Sequence, residues 1–348
     1  MADGELDLEQ LSDLATPWCL RVVVTLGLAE RLAETPATAA ELAGVAGADV
    51  DLLELVLRHL ESVGVVRTDE AGRHSLAPAA KSLTGPEFGT MLNVDGIGGR
   101  FSGAWATLPE VVRSGRPAYA QMYGLPFWED IAAHPELGAE FDAMMGEGHH
   151  VADPDVLPAG DLGDATTVVD VGGGTGTLLK AVLKGYPHLQ GILVDLPPTI
   201  DRAVEGIAAA GLSDRISLVR QSFFDPLPKG GDVYLVSGIL NDWPDDEAVT
   251  ILTRCREALG DGGVVVVMGG VTPDSDEHAA GSHKPHVGHR SPTTLTVETV
   301  LLGGRTRSMH VFTAVAKRAG LVVVAEAPSS FRGYAVQLQP DEGSPAPA

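Results

Sequence analysis

The sequence predicts an α/β protein: a mostly helical N-terminal region, then a domain in which short strands alternate with helices. Three observations carry this. Apolar residues recur at helical spacing through the first third of the 348 residues. From residue 168 onward, runs of Val, Ile and Leu alternate with helical stretches, the pattern of a parallel sheet covered on both faces. A glycine-rich turn, Gly172-Gly173-Gly174-Thr175-Gly176, joins the first such run to the first such helix.

Leu8, Leu11, Leu14, Leu20, Val23 and Val24 keep helical spacing between Leu6 and Leu32, with a break expected at Pro17. Thr38-Ala39-Ala40-Glu41 is a capping box that opens a short helix. Asp49 to Val63 makes a second helix, ended by Gly64. Val65–Thr68 and Arg73–Leu76 flank Asp69-Glu70-Ala71-Gly72, a strand–turn–strand signal. Helix, turn, helix and hairpin together form a winged-helix pattern. From Phe88 to His150 the chain is again helical and holds eight of its 17 aromatic residues (8 Phe, 5 Tyr, 4 Trp). They make either a helical core or the wall of a pocket for a flat aromatic ligand.

The later strands are Val168–Val171, Ile192–Asp195, Ile216–Val219, Val233–Val236 and Val264–Met268, with helices over Thr177–Tyr186, Thr199–Ala210 and Asp246–Leu259. Leu321–Glu326 and Tyr334–Leu338 read as a terminal hairpin, and the tail after Pro340 as disordered. The expected organisation is a winged-helix unit at 1–85, a helical pocket segment at 86–155, a Rossmann-like domain at 156–340 and a tail at 341–348.

Charge narrows the partners. With 24 Lys+Arg against 47 Asp+Glu, the formal net charge is −23. Between Ala37 and Leu83, Glu41, Asp49, Asp51, Glu54, Glu61, Asp69 and Glu70 face Arg58, Arg67, Arg73 and Lys81. Such a unit repels phosphate backbones, so nucleic acid is excluded and the winged helix reads as a dimerisation element. No apolar run approaches the ~18–20 residues of a membrane span, and the acidic start lacks a signal-peptide pattern. Cys19 and Cys255 read as free thiols of a cytoplasmic protein.

The glycine turn lacks the Gly-Lys-Ser/Thr of a phosphate loop. Asp195, at the end of the second strand, is placed for ribose hydroxyls. Asp170 stands at the head of the turn, poorly placed against a pyrophosphate and well placed for the ammonium of an amino-acid-bearing cofactor. S-adenosyl-L-methionine has that ammonium and no phosphate. Ser222 and Phe223, in Gln221-Ser222-Phe223-Phe224-Asp225-Pro226-Leu227-Pro228, offer a hydroxyl and an aromatic face to adenine.

Seven motifs carry a family resemblance: Gly115-Arg116-Pro117-Ala118-Tyr119, Pro126-Phe127-Trp128-Glu129, the Asp170–Gly176 turn, Asp195-Leu196-Pro197, Phe223 to Pro228, Leu240-Asn241-Asp242-Trp243 and Leu302-Gly303-Gly304-Arg305-Thr306-Arg307. From about Leu11 to Leu338 the chain resembles small-molecule O-methyltransferases with an N-terminal winged-helix dimerisation domain and a C-terminal Rossmann-like domain. The nearest in kind are actinobacterial natural-product tailoring enzymes of the anthracycline type. The resemblance implies a homodimer formed through the N-terminal domain. It also implies S-adenosylmethionine held by Gly172 and Gly174 (methionine part), Asp195 and Leu196 (ribose), Ser222 and Phe223 (adenine), and Ser237.

One position departs from that family. Many members carry a histidine two residues before the tryptophan, as general base toward a phenol. Here Asn241 stands there, and an amide cannot take a proton. Gly270 and Leu295 stand where relatives often carry carboxylates that orient the histidine. Some antibiotic-tailoring relatives without it still transfer methyl groups by aligning the acceptor. Others of this fold catalyse hydroxylation or pericyclic steps.

Asn241, Asp242 and His149 are the catalytic candidates, and Phe127, Trp128, Met145 and His150 the substrate contacts. Asn241 reads equally as a loop-capping residue, Asp242 as a helix-start residue, and His149-His150 as a helix C-terminal cap. His278, His283, His286 and His289 read as a solvated loop, without a metal. The expected reaction is methyl transfer to a hydroxyl of a small aromatic or polycyclic metabolite. The alternatives are hydroxylation or cyclisation with the cofactor unconsumed, and C- or N-methylation.

Overall fold

The computed structural model describes residues 7–146, 162, 164–272, 292–329 and 333–341. The chain divides into two compact units between Gly103 and Ala104.

In the first unit, helices span Leu8–Leu11, Ala15–Thr25 and Leu28–Glu34. The breaks fall at Ser12–Leu14 and at Leu26-Gly27, not at Pro17. Pro17 is the third residue of its helix, where the missing N–H has no intrahelical partner to lose. The Asp13 carboxylate accepts from Ala15 N–H at 2.8 Å, serving one of those first donors. The capping box is present: Glu41 N–H donates to Thr38 Oγ1 (3.3 Å) and Thr38 N–H to Glu41 Oε2 (2.8 Å), opening helix Ala39–Ala46. Asp49 caps helix Val50–Ser62, which turns Leu53, Leu57 and Leu60 inward. Strands β1 (Val66–Thr68) and β2 (His74–Leu76) pair antiparallel as the wing. Val23, Leu28, Leu32, Leu42 and Leu57 are buried together in this unit's core.

The second unit is built on a seven-stranded sheet. Its strands are β3 (Thr167–Val171), β4 (Gln190–Asp195), β5 (Ile216–Arg220), β6 (Gly231–Ser237), β7 (Leu259–Met268), β10 (Leu321–Ser329) and β11 (Gly333–Pro340), in the order β10-β11-β7-β6-β3-β4-β5. Strands β3 to β7 run parallel, and β11 is antiparallel to both β7 and β10. A two-residue pair, β8 (Val271–Thr272) with β9 (Arg307–Ser308), lies apart from the sheet. Alternation along each strand feeds two cores. Val169, Val171, Tyr234 and Val267 pack with Ile251, Cys255 and Phe312 on one face. Val168, Leu193, Leu235 and Val266 pack with Leu179, Leu183, Ile200 and Ile207 on the other.

The expected strands are present, with β7 beginning five residues early, through Gly260, Gly262 and Gly263, which carry no apolar signal. The helix expected from Asp246 begins at Asp245 with Pro244 as its N-cap, so Asp242 lies outside it, on the turn Leu240–Asp242. Cys19 and Cys255 are free thiols, and burial pushes Cys255 up to about 12. Among the described residues no single helix is long and apolar enough to cross a membrane. The tail from residue 342 lies outside the described residues.

Thr38→Ala removes the side-chain half of the capping box, leaves the Thr38 N–H to Glu41 half in place, and should destabilise the first unit by about 1 kcal/mol, whereas Thr38→Ser should cost far less. Urea unfolding of the two variants measures this, and equal loss in both contradicts the capping account.

Candidate functional site

Strand order reverses at β3, with β4 on one side and β6 on the other, so the carboxyl ends of these strands splay around a crevice. The glycine turn lies there. Gly172 has φ +67°, a left-handed conformation that side chains strain to adopt, and its N–H donates to Val194 O at 2.8 Å. A Cβ on Gly172 would stand 2.7 Å from Ile239 and 3.3 Å from Phe223, so the backbone passes close beneath both. A Cβ on Gly173 would collide with the Asp170 carboxylate. Asp170 itself is buried at 1% exposure, beneath the turn.

Asp195 closes the turn from the end of β4. Its Oδ2 accepts from Gly174 N–H at 2.8 Å and its Oδ1 from Leu196 N–H at 2.7 Å. Burial nevertheless pushes its carboxyl up to about 6; the two N–H donors oppose this, the Asp142 charge adds to it, and Arg202 opposes it. Arg202 and Asp142 form an ion pair, with Nε donating to Oδ2 at 2.8 Å. Leu196 is 45% exposed.

Ser222 Oγ accepts from Phe224 N–H at 3.2 Å. Phe223 is half-buried against Phe224 and Trp243. Ser237, at the end of β6, keeps a buried Oγ with no hydrogen-bond partner among the described residues. A buried orphan hydroxyl, a backbone cradle that a methyl would fill and a carboxylate at the strand end fit a nucleoside with an amino-acid arm. The donor set suits S-adenosylmethionine.

Beside this cradle runs an aromatic wall. Trp128 stacks on Trp243 at 6.3 Å and 17°, and packs edge-on to Phe127 and Phe141. Phe127 is buried at 2% exposure, so of the expected contacts Trp128 is the half-buried one and Phe127 its support. The Tyr119 hydroxyl donates to the buried Asp130 carboxylate at 2.7 Å behind them. Met145 is exposed on helix Pro135–Gly146.

Asn241 Nδ2 donates to Asp242 Oδ1 at 2.8 Å. Two glycines crowd its turn: a Cβ on Gly270 would stand 2.6 Å from Asn241 Cβ, and one on Gly304 would collide with Asn241 O. A carboxylate at Gly270 has no room beside this asparagine. Leu295 lies on helix Pro292–Leu301, where Glu298 accepts from Trp105 Nε1 at 3.3 Å. His149, His150, His278, His283, His286 and His289 lie outside the described residues.

Sequence reasoning missed Ile239, Trp243, the Asp142–Arg202 pair and Arg307, whose guanidinium donates to the carbonyls of Leu240 and Trp243 on either side of Asn241. Only Arg307 and Trp243 stood in a motif already singled out; the others meet partners dozens of residues away with no local signal.

Comparison with known proteins agrees with this geometry. Residues 105–322 match the model of the O-methyltransferase domain, and residues 8–85 that of the O-methyltransferase dimerisation domain. The chain is 38% identical over 331 residues to 2,7-dihydroxy-5-methyl-1-naphthoate 7-O-methyltransferase of Streptomyces carzinostaticus, covering 94% of this chain and 96% of that one. It is 35% identical to aclacinomycin 10-hydroxylase RdmB of Streptomyces purpurascens, covering 93% and 86%. The crystal structure of the O-methyltransferase NcsB1 from neocarzinostatin biosynthesis, in complex with S-adenosyl-L-homocysteine and 1,4-dihydroxy-2-naphthoic acid, superposes with TM-score 0.84 at 36% identity, covering 97% and 99%. The chain belongs to the O-methyltransferase family and is an S-adenosylmethionine-dependent methyltransferase with an N-terminal dimerisation domain.

Proposed function

We propose that the chain methylates a hydroxyl of a small aromatic or polycyclic secondary metabolite of antibiotic biosynthesis. The observation that carries this is the cradle at the end of β3, closed by Asp195 and flanked by the Trp128–Trp243 wall. When bound, S-adenosylmethionine supplies an electrophilic methyl group on a cationic sulfur. Gly172, Gly174 and Asp170 serve its methionine part, Asp195 and Leu196 the ribose, Ser222 and Phe223 the adenine, and Ser237 is a further polar contact. Trp128, supported by Phe127, offers a flat face to the acceptor, with Met145 and His150 as further contacts.

Asn241 orients a hydroxyl or carbonyl and cannot take its proton. The chain's part is therefore alignment in a site shielded from water, acting on a hydroxyl that already ionises readily. Asp242 and His149 are the side chains assigned to any proton that remains to be moved.

A second reading is favoured by Asn241 together with the relative named as a hydroxylase: insertion of one oxygen atom from dioxygen, the other leaving as water with two electrons and two protons from an added thiol reductant, and the cofactor unconsumed. Aerobic incubation with S-adenosylmethionine, a thiol reductant and a panel of hydroxynaphthoic acids and hydroxyanthraquinones separates the two. Equal amounts of S-adenosylhomocysteine and of a product gaining one methyl support the first. Product with an added oxygen and intact cofactor supports the second, and absence of cofactor binding removes both.

The same reading makes the protein a cytoplasmic homodimer that binds neither nucleic acid nor membrane. Leu8, Leu11, Leu14, Leu52 and Leu55 stand 60% or more exposed on the first unit, an apolar surface suited to a second copy. The acidic charge and the two free thiols agree with it. Residues 1–85 then dimerise, 86–155 supply Trp128 and its aromatic support, and 156–340 supply Trp243 and hold cofactor and chemistry.

Three outcomes are expected. Asn241→Ala, which removes one orienting amide, lowers turnover about tenfold or less; a total loss with unchanged folding and cofactor affinity contradicts the alignment mechanism. The raised carboxyl of Asp195 is a cost of folding above about pH 6 and is absent below its unfolded value near 3.8. Asp195→Asn keeps only one acceptor oxygen for the Gly174 and Leu196 N–H groups, and should weaken S-adenosylhomocysteine binding at least about tenfold. Wild-type affinity should fall as pH drops through about 6, because the ribose hydroxyls lose an ionised acceptor. Calorimetry across pH measures both.

A further inference from the structure

Arg307 is among the largest fully buried side chains, at 2% exposure, and nothing in the cofactor cradle uses it. Its guanidinium grips one turn from both ends. Nη1 donates to Leu240 O at 2.6 Å and to Arg305 O at 3.2 Å, Nη2 to Trp243 O at 2.8 Å, and Nε to Asp245 Oδ1 at 2.9 Å. The surrounding backbone ties the same turn down. Arg305 N–H donates to Asn241 O at 2.6 Å, and Arg307 N–H to Gly270 O at 2.9 Å. Gly270 and Gly304 press on Asn241 from the two segments so joined.

A buried guanidinium is an expensive choice for stability alone, since a well-packed apolar side chain often serves a core as well or better. What the planar fork offers is direction: several donors fixed in one plane, matched to carbonyls that diverge from a short turn. Those carbonyls flank Asn241 and Asp242, and one belongs to Trp243, whose ring stacks on Trp128 and meets Phe223 edge-on.

We infer that Arg307 is a positioning residue for the acceptor side of the site, locking the Leu240–Trp243 turn so that the Asn241 amide and the Trp243 ring are held beside Trp128. Its kinetic consequence rests on the methyl-transfer reading; its structural content does not. The cofactor cradle is built from other elements, the turn after β3 and the end of β4, so cofactor affinity should be spared.

The full-length variants Arg307→Met and Arg307→Lys test this. Three measurements are made: S-adenosylhomocysteine affinity by calorimetry, kcat and KM with 1,4-dihydroxy-2-naphthoic acid as acceptor probe, and the tryptophan exciton couplet in circular dichroism, assigned with Trp128→Phe. Arg307→Met should lower kcat about a hundredfold and lose most of the couplet, with S-adenosylhomocysteine affinity within about threefold of wild type. Arg307→Lys, which keeps charge but not the fork, should recover at least about a tenth of wild-type kcat and part of the couplet. Unchanged kcat and couplet in Arg307→Met, or cofactor affinity falling in step with kcat, overturns the inference. If Arg307→Met does not fold, Arg307→Lys decides: about a tenfold fall in kcat at unchanged cofactor affinity supports it, and unchanged kcat overturns it. If the wild type does not methylate the probe, the couplet and the calorimetry decide the role of Arg307 separately from the reaction.

Discussion

One carboxylate joins the two sides of the crevice at the carboxyl ends of β3 and β4. Asp195 ends β4, yet it accepts the N–H of Gly174 from the turn that follows β3. The parallel register makes this possible, because Val171 lies opposite Val194 and Gly172 N–H reaches back to Val194 O. The glycines are the other half of the arrangement: with a side chain at Gly172 the turn would meet Ile239 and Phe223. The carboxylate is held largely out of water, which is why its protonation is raised. Folding thus stores an ionised acceptor in a place where ligand hydroxyls, not water, would satisfy it.

The acceptor side follows a different logic. Asn241 cannot take a proton, and among the described residues Gly270 and Gly304 crowd its turn too closely for a side chain at either position. What this side has is rigidity: a buried arginine, two close backbone approaches and a stacked indole pair. A site of this kind acts by holding the acceptor still, and it suits acceptors that shed a proton readily. An asparagine at this position would let related chemistries arise on one scaffold, consistent with a methyltransferase and a hydroxylase both standing among its relatives.

Much of the fold was legible because its signals are local. Strands buried on both faces are continuous apolar runs, and the capping box at Thr38 and Glu41 is complete within four residues. Pro17 misled because proline breaks helices only beyond their first turn. The start of β7 was hidden by glycines that carry no apolar signal. In the site, the glycine turn and Asp195 could be read because each sits at the end of a strand. The Trp128–Trp243 stack, the Asp142–Arg202 pair and the contacts of Arg307 with Leu240, Trp243 and Asp245 could not, because they join residues some 60 or more positions apart and depend on the finished packing.

The central claim is that the Asp195–Gly174 junction is the nucleoside end of an S-adenosylmethionine site. A crystal structure of the protein with S-adenosylhomocysteine tests it most directly. Both ribose hydroxyls should lie on the Asp195 carboxylate, adenine against Phe223, the amino-acid arm along Gly172 to Gly174, and the sulfur facing the Trp128–Trp243 wall. Ligand bound elsewhere, or bound in the crevice with Asp195 untouched, would contradict it.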